Sequence, residues 1–211
     1  MNKPQEPANP DTVTGFTAQY ITLAMALSIA MNEYLEEYDR LSREGPLDPE
    51  SCSGPEPRRI TIVVLGAALC ESTINTYLSL KLDPACWGVL GRTSTVEKWT
   101  TVPKLFLRDY SIPADSPLHG DLKDLFECRN SIMHSKPEVY EGKKKRHKGN
   151  GRAWRVSDDA WVNRTYDLVL RLLEHLAKFD RSGAMTHYSS IQPYLSIPKW
   201  RSCPAAARTE T

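Results

Sequence analysis

Residues 60–69, ITIVVLGAAL, are apolar around the whole circumference of a helix. A helix without a polar face is stable in water only when other elements cover it on every side. The run belongs to a helix expected over about Arg58–Leu82, which therefore has to lie at the centre of the fold. It is about half the length that a membrane span requires and soon meets Glu71, so no membrane segment is expected here or in ITLAMALSIAM, residues 21–31.

What surrounds this helix also reads as helical. A first helix is expected over Thr17–Arg43, with Ile21, Met25, Ser28 or Ile29, and Asn32 on its inner face and acidic residues gathering at its far end. A third runs from Pro117 to Lys136, with Ser116 as its N-cap and Pro137 ending it. A fourth follows Ser157-Asp158-Asp159 and reaches about Phe179, with Val162, Tyr166, Val169, Leu172 or Leu173, and Leu176 as its apolar stripe. Between the second and third lie a short turn near 85–90 and a capped turn at Ser94 or Thr95, limited by Pro103. Clear strand patterns are scarce. The expectation is an all-α fold, a four- to five-helix up-and-down bundle over residues 16–180. Residues 1–15 read as a flexible N-terminal arm, 181–211 as a C-terminal tail, and 138–156 as a small basic insertion, a candidate hairpin.

With 40% hydrophobic and 25% charged residues, the 211-residue chain has enough apolar material for one core. Its five cysteines are odd in number and widely spaced, without a CxxC pair, and the N-terminus lacks an apolar signal region. Both observations point to a reduced, cytoplasmic protein with neither a disulfide framework nor a structural zinc site. No nucleophile elbow, phosphate-binding P-loop or dinucleotide fingerprint is present. His119, His147, His175 and His187 show no metal-ligand spacing and are expected at the surface.

The segment DLFECRNSIMH, residues 124–134 in its core, carries the chemistry. Leu122, Leu125, Phe126, Ile132 and Met133 form an apolar framework that Arg129, Asn130 and His134 interrupt near the helix end. Asn130 and His134 are four apart and share a face, and the long stem of Arg129 reaches toward them. The plainest account of such residues is contact with the last carbonyls of the helix. An arginine is nevertheless rarely buried without a partner. If this surface met its own two-fold copy, two arginines and two histidines would converge in one cleft. That set suits phosphodiester chemistry on RNA. Histidine moves protons near neutrality, arginine holds the phosphate and its developing charge, and the ribose 2′-hydroxyl is an internal nucleophile. Such a reaction needs neither metal nor cofactor, leaves a 2′,3′-cyclic phosphate and a 5′-hydroxyl, and spares DNA.

RNSIMH, residues 129–134, resembles the R-x4-6-H motif of the HEPN family (higher eukaryote and prokaryote nucleotide-binding domains). The preceding DLFEC also resembles the apolar run before that motif, and the likeness covers about residues 16–180. The resemblance implies a helical bundle acting as a homodimeric, metal-independent endoribonuclease, of a kind found in toxin–antitoxin pairs and phage defence. It also implies Arg129 and His134 as the catalytic pair, Asn130 as an orienting residue, and Glu71 in CESTIN as an acidic helix-2 residue contacting the motif. An antitoxin or another defence protein is then the expected partner besides RNA. The family also contains inactive members, so a non-cutting dimer that binds RNA, nucleotide or protein is the alternative. A plain helical interaction protein is a third reading.

Two further features bear on these readings. From Lys136 to Arg155 eight Lys or Arg face only Glu138 and Glu141, a local charge of +6 in a chain whose total is +1. Lys143, Lys144, Lys145, Arg146, Lys148 and Arg152 are thus candidates for binding the RNA backbone, against the simpler reading of a solvated loop. Tyr140 and Trp154 flank them, to stack bases or to pin the insertion to the bundle. Glu71 and Asn75 lie four apart on an otherwise buried helix and need partners, either Arg129 for Glu71 or any neighbouring helix.

Overall fold

The computed structural model describes residues 14–44, 56–133 and 159–195. Among them every regular element is helical, and no strand occurs. The elements are α1 (Thr14–Glu44), α2 (Glu56–Lys81), α3 (Pro84–Leu90), α4 (Thr95–Thr100), α5 (Pro117–Met133), α6 (Asp159–Ala177) and α7 (Arg181–Leu195). A 3-10 turn at Val102–Leu105 follows α4.

α2 is the hub. It packs against α1, α6, α5, α4 and α7, as a helix with no polar face must. Ile62, Val63, Leu69, Ile74 and Leu78 are buried on different sides of it. By length and composition Pro57–Lys81 is long and apolar enough to cross a membrane, although the apolar run at its start is only half that long; 56% of the qualifying window is buried among the other helices. α6 approaches α2 very closely at Gly66, where an added Cβ would lie 2.6 Å from Thr165 Cγ2. Only glycine lets the two backbones come so near.

The α1 face agrees with the expectation only in part: Ser28 is buried and Ile21 half-buried against the core. The main buried stripe is Tyr20, Ala24, Leu27, Met31 and Tyr34, spaced alternately four and three apart. Met25 and Ile29 are instead 45% and 57% exposed. Two apolar stripes lie side by side on this helix, and the core takes the one with two tyrosines, whose ring area outweighs a pair of aliphatic chains.

Residues 181–195 are not a tail. They form α7, which packs on α6 and α1 and buries Ala184, His187, Ile191 and Leu195. Pro193 lies inside its last turns. Asp180 starts the helix by accepting the Gly183 N–H at 3.2 Å. The same carboxylate accepts the Tyr77 hydroxyl at 2.9 Å and pairs with Lys81, joining α7 to α2. Burial would raise the Asp180 pKa, but Lys81, the Gly183 N–H and the Tyr77 hydroxyl prevail and hold it at about 2.

The connection from α2 to α5 is short helices and turns held by specific bonds. Asp83 caps α3 by accepting the N–H groups of Ala85 and Cys86, both at 2.9 Å. Of the two caps the spacing left open, Ser94 is the one used, and it forms a capping box with Glu97 on α4. Trp99 is fully buried and donates its indole N–H to the Cys70 carbonyl at 3.2 Å, and the Tyr110 hydroxyl donates to the Trp99 carbonyl at 2.6 Å. These two bonds attach the irregular stretch 101–116 to α2 and give α5 a fixed starting point.

Candidate active site

α5 begins where expected. The Ser116 hydroxyl accepts the His119 N–H at 3.2 Å and Pro117 opens the helix. Leu122, Leu125, Phe126 and Cys128 turn into the core, against α2 and α6. Asp121 fixes the helix to α6 through Arg171 at 2.8 Å, with Arg164 at 4.0 Å, and Arg171 also reaches Asp167 at 3.3 Å. Burial raises the Asp167 pKa, with Arg171 pulling the other way. The orientation of α5 about its axis is thereby set, and with it the direction of its polar residues.

Arg129 emerges in the last full turn. Its Nη2 lies 3.5 Å from Glu71 Oε2, and its guanidinium carbon lies 5.4 Å from the centre of the Phe126 ring. The side chain is thus steadied on one side by a carboxylate from α2 and on another by an aromatic ring from its own helix. At 3.5 Å the contact is a charge pairing, longer than a tight guanidinium–carboxylate fork. Both partners remain partly exposed, 30% for Arg129 and 42% for Glu71. Asn130 is exposed beside them.

Met133, expected in the apolar framework, is 60% exposed, and Ile132 is half-buried next to it. His134 lies outside the described residues, as do Lys143, Lys144, Lys145, Arg146, Lys148 and Arg152, with the candidate hairpin and its Tyr140 and Trp154. Of the expected site residues, Arg129, Asn130 and Glu71 are therefore described, and these three lie together.

They line a cleft of about 530 Å³ between α5 and the start of α4, whose walls also carry Ser94, His119, Lys123 and Glu127. His119, Lys123, Glu127 and Asn130 follow one face of α5. His119 is half-buried in this wall rather than at the open surface. His175 and His187 also depart from a simple surface placement, while His147 lies outside the described residues. The His175 ring contacts the Ser111 carbonyl at 2.7 Å. His187 is buried edge-on to the rings of Tyr20 and Tyr77, which lowers its pKa.

Glu71 and Asn75 leave α2 toward different cations. Asn75 Oδ1 accepts from Lys98 Nζ at 2.9 Å, and that ammonium lies 5.5 Å from the centre of the Trp87 ring. Lys98 is only 4% exposed. Burial lowers its pKa, and the negative charge of Glu71 opposes that shift. Nothing in the sequence around TVEKWT singles out Lys98; the available signal was Asn75, an amide on a buried helix that needed a donor. Cys70 and Cys128 are buried, and burial pushes the Cys70 thiol up to about 12, far from a reactive thiolate. Among the described residues no group of His, Cys, Asp and Glu is placed to hold a metal.

Chemically, the cleft offers a steadied guanidinium, an exposed amide, an ammonium and an imidazole along one wall, with two carboxylates among them. A search against protein-family models, curated proteins and solved structures finds no match to this chain.

Proposed function

We propose that this protein is an endoribonuclease of HEPN type that cleaves RNA by attack of the ribose 2′-hydroxyl on the neighbouring phosphate. The observation that carries the reading is Arg129, held between Glu71 and Phe126 at the rim of the α4–α5 cleft and five residues before His134. A guanidinium that is pre-positioned but not enclosed is suited to gripping a phosphate and to stabilising charge that develops on it.

In this reading His134 takes the proton from the 2′-hydroxyl or supplies one to the 5′-leaving oxygen. Asn130 orients the phosphate or the imidazole, and Glu71 keeps the guanidinium aimed. The 2′-oxygen forms its bond to phosphorus as the bond to the 5′-oxygen breaks, leaving a cyclic phosphate and a 5′-hydroxyl. The chain acts as a homodimer with the two motif turns across a symmetry axis. Exposed Met133 and half-buried Ile132 beside Arg129 are the apolar surface such an interface would cover. The basic stretch 143–152 adds affinity for the RNA backbone, and a role as toxin or defence effector with a protein antagonist follows from the family resemblance.

The test is incubation of purified protein with total RNA in EDTA, beside Arg129→Ala and His134→Ala variants of unchanged helicity. Cleavage by the wild type and its loss in both variants supports the reading. RNA binding without cleavage supports the non-cutting HEPN-like dimer instead. Equal cleavage by all three refutes the assignment of these residues.

A further inference from the structure

The cleft extends well beyond Arg129. His119 and Lys123 lie on the same wall, toward the beginning of α5. Lys123 precedes Arg129 by six residues, about 9 Å along the helix axis. The Lys123 ammonium and the His119 ring have no hydrogen bond or ion pair among the described residues, and neither does the Asn130 amide. Arg129, in contrast, is already engaged by Glu71. One wall of the cleft thus carries three uncommitted hydrogen-bonding groups, with Glu127 between the second and the third and the engaged Arg129 at the end.

We infer that this wall is a subsite for the nucleotide next to the scissile bond, with Lys123 holding the adjacent phosphate and His119 and Asn130 bonding the same unit. The inference rests on the nuclease reading for which phosphate is cut, but the subsite is a binding site in its own right. A cleft of about 530 Å³ is large enough for one nucleotide and too small for a duplex. Its walls carry Glu71 and Glu127 as well as the cations. A bare polyanion is poorly served by two carboxylates. A nucleotide has both kinds of group: a phosphate for Lys123, and hydroxyl and base N–H donors for carboxylate oxygens. Val96 and Phe126 add apolar surface against which a base can pack. The subsite lies on the N-terminal side of Arg129 along α5, so the strand would run along the helix and not across it.

The experiment measures affinity of the full chain for a fluorescent single-stranded oligonucleotide carrying 2′-fluoro sugars, which cannot be cut without the 2′-hydroxyl. Titrations at rising salt compare wild type, Lys123→Gln and Lys178→Gln; Lys178 is exposed beyond the end of α6 and matches the charge change. Each phosphate contact to a single strand contributes about 0.7 to the salt slope, so raising salt about fourfold should weaken the wild type about 2.5-fold more than Lys123→Gln. Lys178→Gln should follow the wild type. Equal affinities and slopes for Lys123→Gln and Lys178→Gln overturn the subsite even if the wild type cuts RNA. A reduced slope in Lys123→Gln alone upholds it even if no RNA is cut, in which case the nuclease reading fails by itself. Absence of binding by the wild type overturns the subsite outright.

Discussion

Replacing Gly66 with alanine tests how α2 and α6 are held together, and so what keeps α5 in place between them. The added methyl would lie 2.6 Å from Thr165 Cγ2 and 3.5 Å from the Thr165 carbonyl oxygen. Carbon atoms pack at about 3.5–4.0 Å, so the first contact is about 1 Å too short. Thr165 is buried, and its β-branched side chain has few rotamers in a helix. The helices must therefore separate, at a cost of about 1–3 kcal/mol for overpacking. Alanine returns about 1 kcal/mol through its better helix propensity. The expected net effect is a loss of about 1 kcal/mol, or about 2–4 °C in Tm for a chain of this size. Thr165→Ser removes the opposing methyl. The double variant Gly66→Ala/Thr165→Ser should then be more stable than the two single losses imply, by about 1 kcal/mol of coupling. Urea unfolding followed by circular dichroism measures all four proteins, with unchanged m-values as the control. Strict additivity, or a Gly66→Ala variant more stable than wild type, would refute the close-approach argument.

Glu71→Gln should separate positioning from stability. A half-exposed pair at 3.5 Å is worth about 0.2–1 kcal/mol, so Tm should hardly move, while RNA cleavage should fall about 10–100-fold as Arg129 loses its aim; unchanged kcat would remove Glu71 from the site. His187 is buried neutral, so the unfolded chain takes up its proton first as pH falls. Its stabilising contribution is complete above about pH 6.5 and declines from there down to the depressed folded-state value, and His187→Phe should flatten urea midpoints over that window. Asp180 behaves in the same direction at lower pH: its contribution is full above about 3.8 and is lost as pH approaches about 2, which Asp180→Asn should abolish in acid unfolding curves. Tyr110→Phe leaves the Trp99 carbonyl without its 2.6 Å donor and should cost about 1–2 kcal/mol in urea unfolding, with the connection 101–116 losing hydrogen-exchange protection first.

What could be read in advance depended on how strongly one physical requirement dominated each element. α2 was legible because an all-round apolar helix has a single stable position. α6 was equally clear, since Val162, Tyr166, Val169, Leu172, Leu173 and Leu176 form one stripe and all are buried. α1 carries two adjacent apolar stripes, and choosing between them needed the shape of the neighbours. α7 was missed because its inward residues are Ala184, His187, Ile191 and Leu195, a mixed set in a segment with serines and a proline. The spacing of 184, 187, 191 and 195 was nevertheless helical. At the site, the proximity of Glu71 and Arg129 agrees with the expectation that a polar residue on a buried helix faces a partner. Lys98 was not legible, because a buried ammonium looks like any surface lysine until its amide and aromatic neighbours are known. His134 and the basic run fall outside the described residues, so their contribution rests on the resemblance and on charge alone.

The most direct test of the central claim replaces a single ribose. Once a cleaved RNA sequence has been mapped, the same oligonucleotide is prepared with one 2′-deoxy sugar on the 5′ side of the scissile phosphate and incubated with the protein in EDTA. The account predicts that cutting stops at that bond alone and that the unmodified strand yields a cyclic phosphate and a 5′-hydroxyl. Continued cutting at the deoxy position, or 5′-phosphate products, would contradict it.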